Sequence, residues 1–191
     1  MSELLDYKEN FAVISDSGQQ LSYSELSEQA SRLYATIGKR TLVFCLCKNA
    51  VESLVGYVAF LQNRVVPLML DATMELDLLT RLLETYNPEY IWLPTARCAE
   101  FVAFETVYEF QEYSLLWSKK SQTVSLHNSL ALLLTTSGST GSPKLVRLSY
   151  ENVLANAQSI AEYLSIDDKE RPITTLPMHY SFGLSVINSH L

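Results

Sequence analysis

Leu42-Val43-Phe44-Cys45-Leu46-Cys47, then the stripe Val51, Leu54, Val55, Val58 and Leu61, then Val65-Val66-Pro67-Leu68-Met69-Leu70: this stretch decides the fold. Its first and last segments are continuous apolar runs of strand length, and the residues between them recur at the 3.6-residue period of a helix. Continuous rather than alternating apolar character is what a strand needs when helices cover both faces of its sheet. Downstream, Asp71 or Thr73 is placed to cap a helix carrying Leu76, Leu79, Leu82, Leu83 and Tyr86. That helix stops before Asn87-Pro88 and gives way to the strand Tyr90–Leu93. Strand, helix, strand, helix, strand implies a parallel sheet. The expected class is therefore α/β, a layered, parallel-rich sheet flanked by helices.

Upstream, Phe11–Ile14, the turn Asp16-Ser17-Gly18 and Gln20–Tyr23 read as a β-hairpin. Ser22 followed three residues later by Glu25 is a capping-box pattern, and Leu26, Ala30, Leu33, Tyr34 and Ile37 predict a helix that runs to Gly38. Beyond Thr95 the signal weakens to the short β-rich pieces Thr106–Phe110 and Tyr113–Trp117, with no functional hint. Leu130–Leu134 resumes a buried strand, Leu145–Leu148 predicts another, and Val153, Ala157, Ile160, Ala161 and Leu164 mark one face of a helix.

The 191 residues suit one domain, with enough chain to bury a core unaided by disulfide or metal. A net charge of −7, from 14 basic and 21 acidic residues, argues against a nucleic-acid partner, whose phosphates are met by clustered Lys and Arg. No run of roughly 18 apolar residues exists, so no transmembrane helix is expected. The three cysteines form no even framework. Alternation along a strand puts Cys45 and Cys47 on one face as small buried hydrophobes. With no signal peptide evident, a reducing, cytoplasmic setting is expected.

The local anomaly is Thr135-Thr136-Ser137-Gly138-Ser139-Thr140-Gly141-Ser142-Pro143-Lys144, which has no large side chain and ends on one cation. Unshielded backbone N–H groups, hydroxyls and a lysine together suit a phosphate chain, because a polyanion is held by many converging donors. A flexible linker or an ordinary hairpin turn is the competing reading. Flanking strands on both sides argue against the linker, since they set the loop into the fold. The spacing is not that of a Walker loop, for position 143 is Pro and Lys144 is followed by Leu145. Neither G-x-G-x-x-G nor G-x-S-x-G occurs.

Thr135–Lys144 resembles the Ser/Thr/Gly-rich phosphate loop of the adenylate-forming (AMP-binding) superfamily, which holds acyl- and aryl-CoA synthetases, nonribosomal-peptide adenylation domains and luciferases. Four further segments are similar to that family in order and spacing. They are Leu21-Ser22-Tyr23-Ser24-Glu25-Leu26, Pro67-Leu68-Met69-Leu70-Asp71, Leu148-Ser149-Tyr150-Glu151-Asn152-Val153 and Leu176-Pro177-Met178-His179-Tyr180-Ser181-Phe182-Gly183-Leu184. The resemblance implies a ligase that activates a small-molecule carboxylic acid as acyl-AMP with ATP and Mg2+, then passes it to a thiol, coenzyme A or that of a carrier protein. By motif position, Thr136, Ser137, Gly138, Ser139, Thr140, Gly141 and Lys144 would hold the phosphates. Lys144 would be the catalytic cation and Thr140 the hydroxyl on the metal side. His179, Tyr180, Phe182 and Gly183 fall where the family walls its acyl pocket, though His179, Tyr180 and Phe182 are open to a second reading as packing residues.

Departures accompany the likeness. Leu145 replaces the Gly that usually follows the loop lysine, and Asn63-Arg64 replaces a small Ala-Gly pair before the Val-Val-Pro strand. Family members are considerably longer. Residues 1–191 are therefore expected to be a partial N-terminal AMP-binding domain, the front part of the large N-terminal domain, inactive alone and prone to self-association through a surface the missing half would cover. The alternative is a non-catalytic phosphate-binding or interaction module derived from the same family.

Overall fold

The computed structural model describes residues 8–120, 125–135 and 144–191. A short antiparallel pair, β1 (Phe11–Ile14) and β2 (Gln20–Ser22), leads into helix α1 (Tyr23–Ile37). Ser22 caps α1 through the expected box: its hydroxyl accepts the Glu25 N–H while Glu25 accepts the Ser22 N–H at 2.7 Å. Gly38 ends the helix in the left-handed conformation, φ 65°, which glycine adopts without steric cost.

The elements β3 (Leu42–Cys47), α2 (Val51–Gln62), β4 (Val66–Asp71), α3 (Leu76–Tyr86) and β5 (Tyr90–Pro94) follow as the apolar pattern requires. A 3-10 turn, Thr95–Glu100, then leads to the hairpin β6 (Glu105–Phe110) and β7 (Tyr113–Trp117). The second hairpin is β8 (Leu130–Thr135) and β9 (Leu145–Ser149), and α4 (Tyr150–Leu164) and α5 (Ser181–His190) complete the chain. Among the described residues seven strands form one sheet in the order β6-β7-β5-β3-β4-β8-β9. β5, β3, β4 and β8 are parallel, whereas the edge pairings β7–β5, β6–β7 and β9–β8 are antiparallel. The edges differ from the parallel centre because hairpins, not helical crossovers, connect them.

Two cores result from the pleat. Val43, Cys45 and Cys47 point toward α1, α2 and α5, while Leu42, Phe44 and Leu46 point toward α3. The cysteines are thus buried on one face, with their sulfurs 3.6 Å apart and all three thiols free. Hydrogen bonding from Cys47 and burial both push the Cys45 thiol up, which makes it a packing group rather than a nucleophile. Helix α2 is buried over almost its whole length because α1 covers its outer side.

Two local expectations are corrected. Neither Asp71 nor Thr73 caps α3, whose N-cap is Glu75 with no side-chain bond. Asp71 belongs to the strand, too far from Leu76 to reach the helix, so its carboxylate closes the intervening turn by accepting the Thr73 N–H at 2.7 Å and hydroxyl at 2.8 Å. On α4, Val153, Ala157, Ile160 and Ala161 face inward, but Leu164 is exposed, because the helix lies at the sheet's edge and runs past what it packs on.

Candidate functional site

The four parallel strands finish on one side of the sheet, at Cys47, Asp71, Pro94 and Thr135. α2 leaves β3 over one face and α3 leaves β4 over the other. A crevice opens where successive connections diverge in this way, and open α/β sheets bind their ligands there.

The β3–α2 turn is built rigidly. The Tyr113 hydroxyl, buried beneath it, donates to Leu46 O at 3.1 Å and accepts from Lys48 N at 3.1 Å and Ser53 Oγ at 2.9 Å. Burial raises the Tyr113 phenol well above its ordinary value, so it stays protonated. Asn49, at the tip of the turn, donates through Nδ2 to Thr174 O (2.9 Å) and Leu176 O (3.0 Å) and accepts the Met178 N–H (3.2 Å). One side-chain amide therefore anchors the whole segment that precedes α5. A sequence reading misses this, since a lone Asn after a strand carries no periodic signal.

That anchoring sets the four candidate pocket residues. His179 is almost wholly buried, with Nε2 3.7 Å from Asp71 Oδ2 and its ring 4.3 Å from that of Tyr180. Burial pushes the imidazolium below its ordinary value, against the pull of Asp71. Burial also raises the Asp71 carboxyl, but the two Thr73 bonds and the nearby His179 and Arg97 outweigh it and hold the group below the usual carboxylate range. Phe182, 67% exposed, and Gly183 line a small open cavity of about 190 Å³ with Ile173, Leu176 and Val186. The four residues split accordingly: His179 and Tyr180 join the strand-end crevice, Phe182 and Gly183 the cavity at the start of α5. Gly183 has no room for a side chain, because a Cβ there would collide with the carbonyl oxygen of Pro177 and lie 2.8 Å from that of Leu176.

Beside the crevice stands the hairpin that carries the Ser/Thr/Gly loop. Thr135 pairs with Leu145, so β8 and β9 form an antiparallel hairpin around the segment: a linker between separate units is ruled out, while an ordinary hairpin turn stands beside the phosphate-loop reading. Lys144 is exposed and immediately precedes β9. Thr136, Ser137, Gly138, Ser139, Thr140 and Gly141 lie outside the described residues. Leu145 packs partly buried against the α3-side core, so the residue that departs from the family pattern is accommodated by the fold. The other departure leaves a mark on the backbone: Arg64, where the family has Gly, sits at φ 58°. His127 and His190 make local bonds, to Ser129 and to Val186 O respectively. No helix among the described residues is long and apolar enough to cross a membrane.

A seven-stranded mixed sheet flanked by helices, its parallel strands ending together beside the β8–β9 hairpin, is the class of fold that the described residues form. Residues 4–191 match the AMP-binding enzyme family, and the chain belongs to it. Tyrocidine synthase 3 of Brevibacillus parabrevis is 28% identical over 189 residues, which take in 90% of this chain and 3% of that protein. The sulfoacetate–CoA ligase of Cupriavidus necator is 39% identical over 56 residues, 29% of this chain and 11% of that one. Among solved structures, the o-succinylbenzoate coenzyme A synthetase of Bacillus subtilis in complex with AMP superposes with a TM-score of 0.79 at 21% identity, covering 99% of this chain and 51% of that chain. The ATP-bound MatB of Rhodopseudomonas palustris gives a TM-score of 0.79 at 21% identity, with 98% of this chain and 42% of that chain covered. The chain thus spans about half the length of these solved neighbours and a much smaller part of the curated relatives.

Proposed function

We propose that residues 1–191 supply the phosphate-binding half of an AMP-forming ligase that joins a small carboxylic acid to a thiol through an acyl adenylate. The observation that carries this reading is the hairpin: a ten-residue run with hydroxyls, glycines and one lysine but no acid is closed by the Thr135–Leu145 pair at the ligand-binding end of a parallel sheet. The same synthetase fold is seen elsewhere with ATP and magnesium bound. The donor set fits such a group. Backbone N–H groups and hydroxyls of Thr136 to Gly141 would hold the β- and γ-phosphates, and Lys144 would add a charge-assisted contact. The Thr140 hydroxyl, with the nucleotide's own oxygens, would hold magnesium, which is usually bound by few protein ligands and by substrate phosphates.

Attack of a carboxylate on the α-phosphate brings two anions together. The chain's contribution is to position them and to offset charge, more than to move protons. Bound magnesium supplies further neutralisation of the phosphates. Coenzyme A and a carrier-protein thiol both fit as acceptor, since the relatives include a CoA ligase and peptide synthetases. The three free cysteines agree with a cytoplasmic setting.

Acid-dependent ATP–pyrophosphate exchange tests the assignment in the complete ligase. Lys144→Ala is expected to lower exchange by about a hundredfold, the scale set by losing one charge-stabilising group, with an unchanged far-UV spectrum. Unaltered exchange would remove the phosphate assignment. Residues 1–191 alone are expected to give none, because they span about half of the neighbouring synthetase chain. The alternative, a non-catalytic module, rests on Leu145 and on the chain's spanning about half of the neighbouring synthetase. Leu145 packs in the ordinary way against the α3-side core, which removes its part of that support.

A further inference from the structure

β8 reads Leu130-Ala131-Leu132-Leu133-Leu134-Thr135, and a strand of this composition does not choose its own register. Leu132 and Leu134 enter the core beneath α1 and α2, and Leu133 enters the core beneath α3. Sliding the strand by one residue would still present leucine to both faces, so the rule that a slip exposes apolar side chains has little force here. Among the described residues the parallel ladder to β4 consists of Leu68 opposite Leu133 and Met69 opposite Leu134, against six registered pairs between β3 and β4. Something else must set where β8 starts and, through it, where the loop leaves the sheet.

Arg40 occupies that place, at the other end of the strands. Its Nη2 donates to His127 O at 2.9 Å and to Leu130 O at 2.8 Å, on the chain entering β8. Its Nη1 donates to Arg64 O at 2.5 Å, on the chain entering β4. The planar fork of one guanidinium therefore spans the entrances of the two strands, a geometry a lysine cannot reproduce. The return path is tied to the same place. Tyr150, the first residue of α4, donates its N–H to Ser129 O at 3.1 Å, and the Arg64 guanidinium lies 5.2 Å from its ring centroid.

We infer that Arg40 is a positioning residue for the phosphate loop: by locking β8 against β4 it determines where Thr135 and Lys144 stand at the strand-end crevice. The effect crosses the full strand, roughly 20 Å for six residues, and a slip of two residues would carry Thr135 by roughly 6.6 Å, beyond hydrogen-bonding reach of a phosphate. The inference rests on the phosphate-loop reading above and adds to it a residue that touches no ligand.

The test measures Mg-ATP affinity by calorimetry for the unmodified ligase, Arg40→Met, Arg40→Lys and Lys144→Ala, at a temperature where circular dichroism shows each to be folded. Amide hydrogen exchange is followed in parallel. Arg40→Met should weaken Mg-ATP binding by at least about tenfold, as expected when loop donors are misplaced by more than 1 Å. It should speed exchange at Ala131–Thr135 while leaving Leu42–Cys47 protected. Arg40→Lys, which keeps the charge but not the fork, should recover little, and it serves as the probe if Arg40→Met does not fold. Full Mg-ATP affinity in both Arg40 variants while Lys144→Ala binds weakly would overturn the inference and leave the phosphate reading standing. No Mg-ATP binding by the unmodified ligase, or none lost in Lys144→Ala, would remove the phosphate reading and this inference with it.

Discussion

Replacing Gly183 by alanine sets two effects of known sign against each other. Alanine is the better helix former, and in the first turn of α5 the exchange offers at most about 1 kcal/mol. Against this, the new methyl would meet the Pro177 carbonyl oxygen well inside van der Waals contact and the Leu176 oxygen and Pro177 carbonyl carbon at 2.8 Å. These are backbone atoms with no rotamer to change, so the segment before α5 must move away as a piece, an overpacking strain of about 1–3 kcal/mol. The displaced Pro177 carbonyl also accepts the Tyr180 N–H at 3.1 Å. Weakening that bond adds about 1 kcal/mol. The balance is a loss of about 2 kcal/mol, or about 4–8 °C in Tm for a chain of this size. Thermal and urea unfolding followed by circular dichroism would measure it, and exchange of the Tyr180 amide would report the local displacement. A Gly183→Ala protein that melts at or above the unmodified temperature would refute the reasoning, showing that α5 and the Leu176–Pro177 segment are not locked together.

Two further predictions concern the same end of the sheet. Tyr113→Phe deletes the hydroxyl that joins Leu46 O, Lys48 N and Ser53 Oγ. Lys48 N keeps its bond to Ser53 Oγ at 3.1 Å, but Leu46 O and the Ser53 hydroxyl proton lose their phenol partner. This should cost about 2 kcal/mol, visible as a lower urea midpoint, and an unchanged midpoint would show that water replaces the phenol. For His179, burial holds the folded-state value below that of the unfolded chain, about 6.5. The unfolded state then binds the proton more readily, so stability falls as pH drops below about 6.5, and the loss is complete once pH lies under the folded value. Asp71, Arg97 and the Tyr180 ring are the groups around this pair, and the Asp71 charge limits the loss. The difference in Tm between unmodified protein and His179→Gln should therefore shift toward the variant between pH 7.5 and 5.5. A constant difference would mean that His179 does not titrate in that window.

Much of the architecture is legible in the pattern of the chain. The unbroken apolar runs at β3, β4 and β5 report strands covered on both faces, and the Ser22–Glu25 box and Gly38 mark both ends of α1 because capping chemistry is local. The loop from Thr135 to Lys144 stood out by composition, and its strand neighbours showed that it belongs to the fold. The antiparallel edges were less visible, since the pieces Thr106–Phe110 and Tyr113–Trp117 have strand character but no sign of which way they pair. The same limit applied to Asp71, whose nearness to a helix start suggested a cap that its strand position forbids.

By itself, then, the sequence determined the class of fold, the order of its elements, the burial of Cys45 and Cys47 and the candidate phosphate loop. Each of these depends on periodicity or on contacts a few residues apart. Tertiary structure alone decided that Asn49 anchors Thr174–Met178, that Asp71 faces His179, and that Arg40 clasps the entrances of β4 and β8. Apolar burial leaves a repeating pattern along the chain because every residue of a face repeats the same choice. A hydrogen bond between single polar groups from distant segments leaves none, and it exists only once packing has fixed both partners in place.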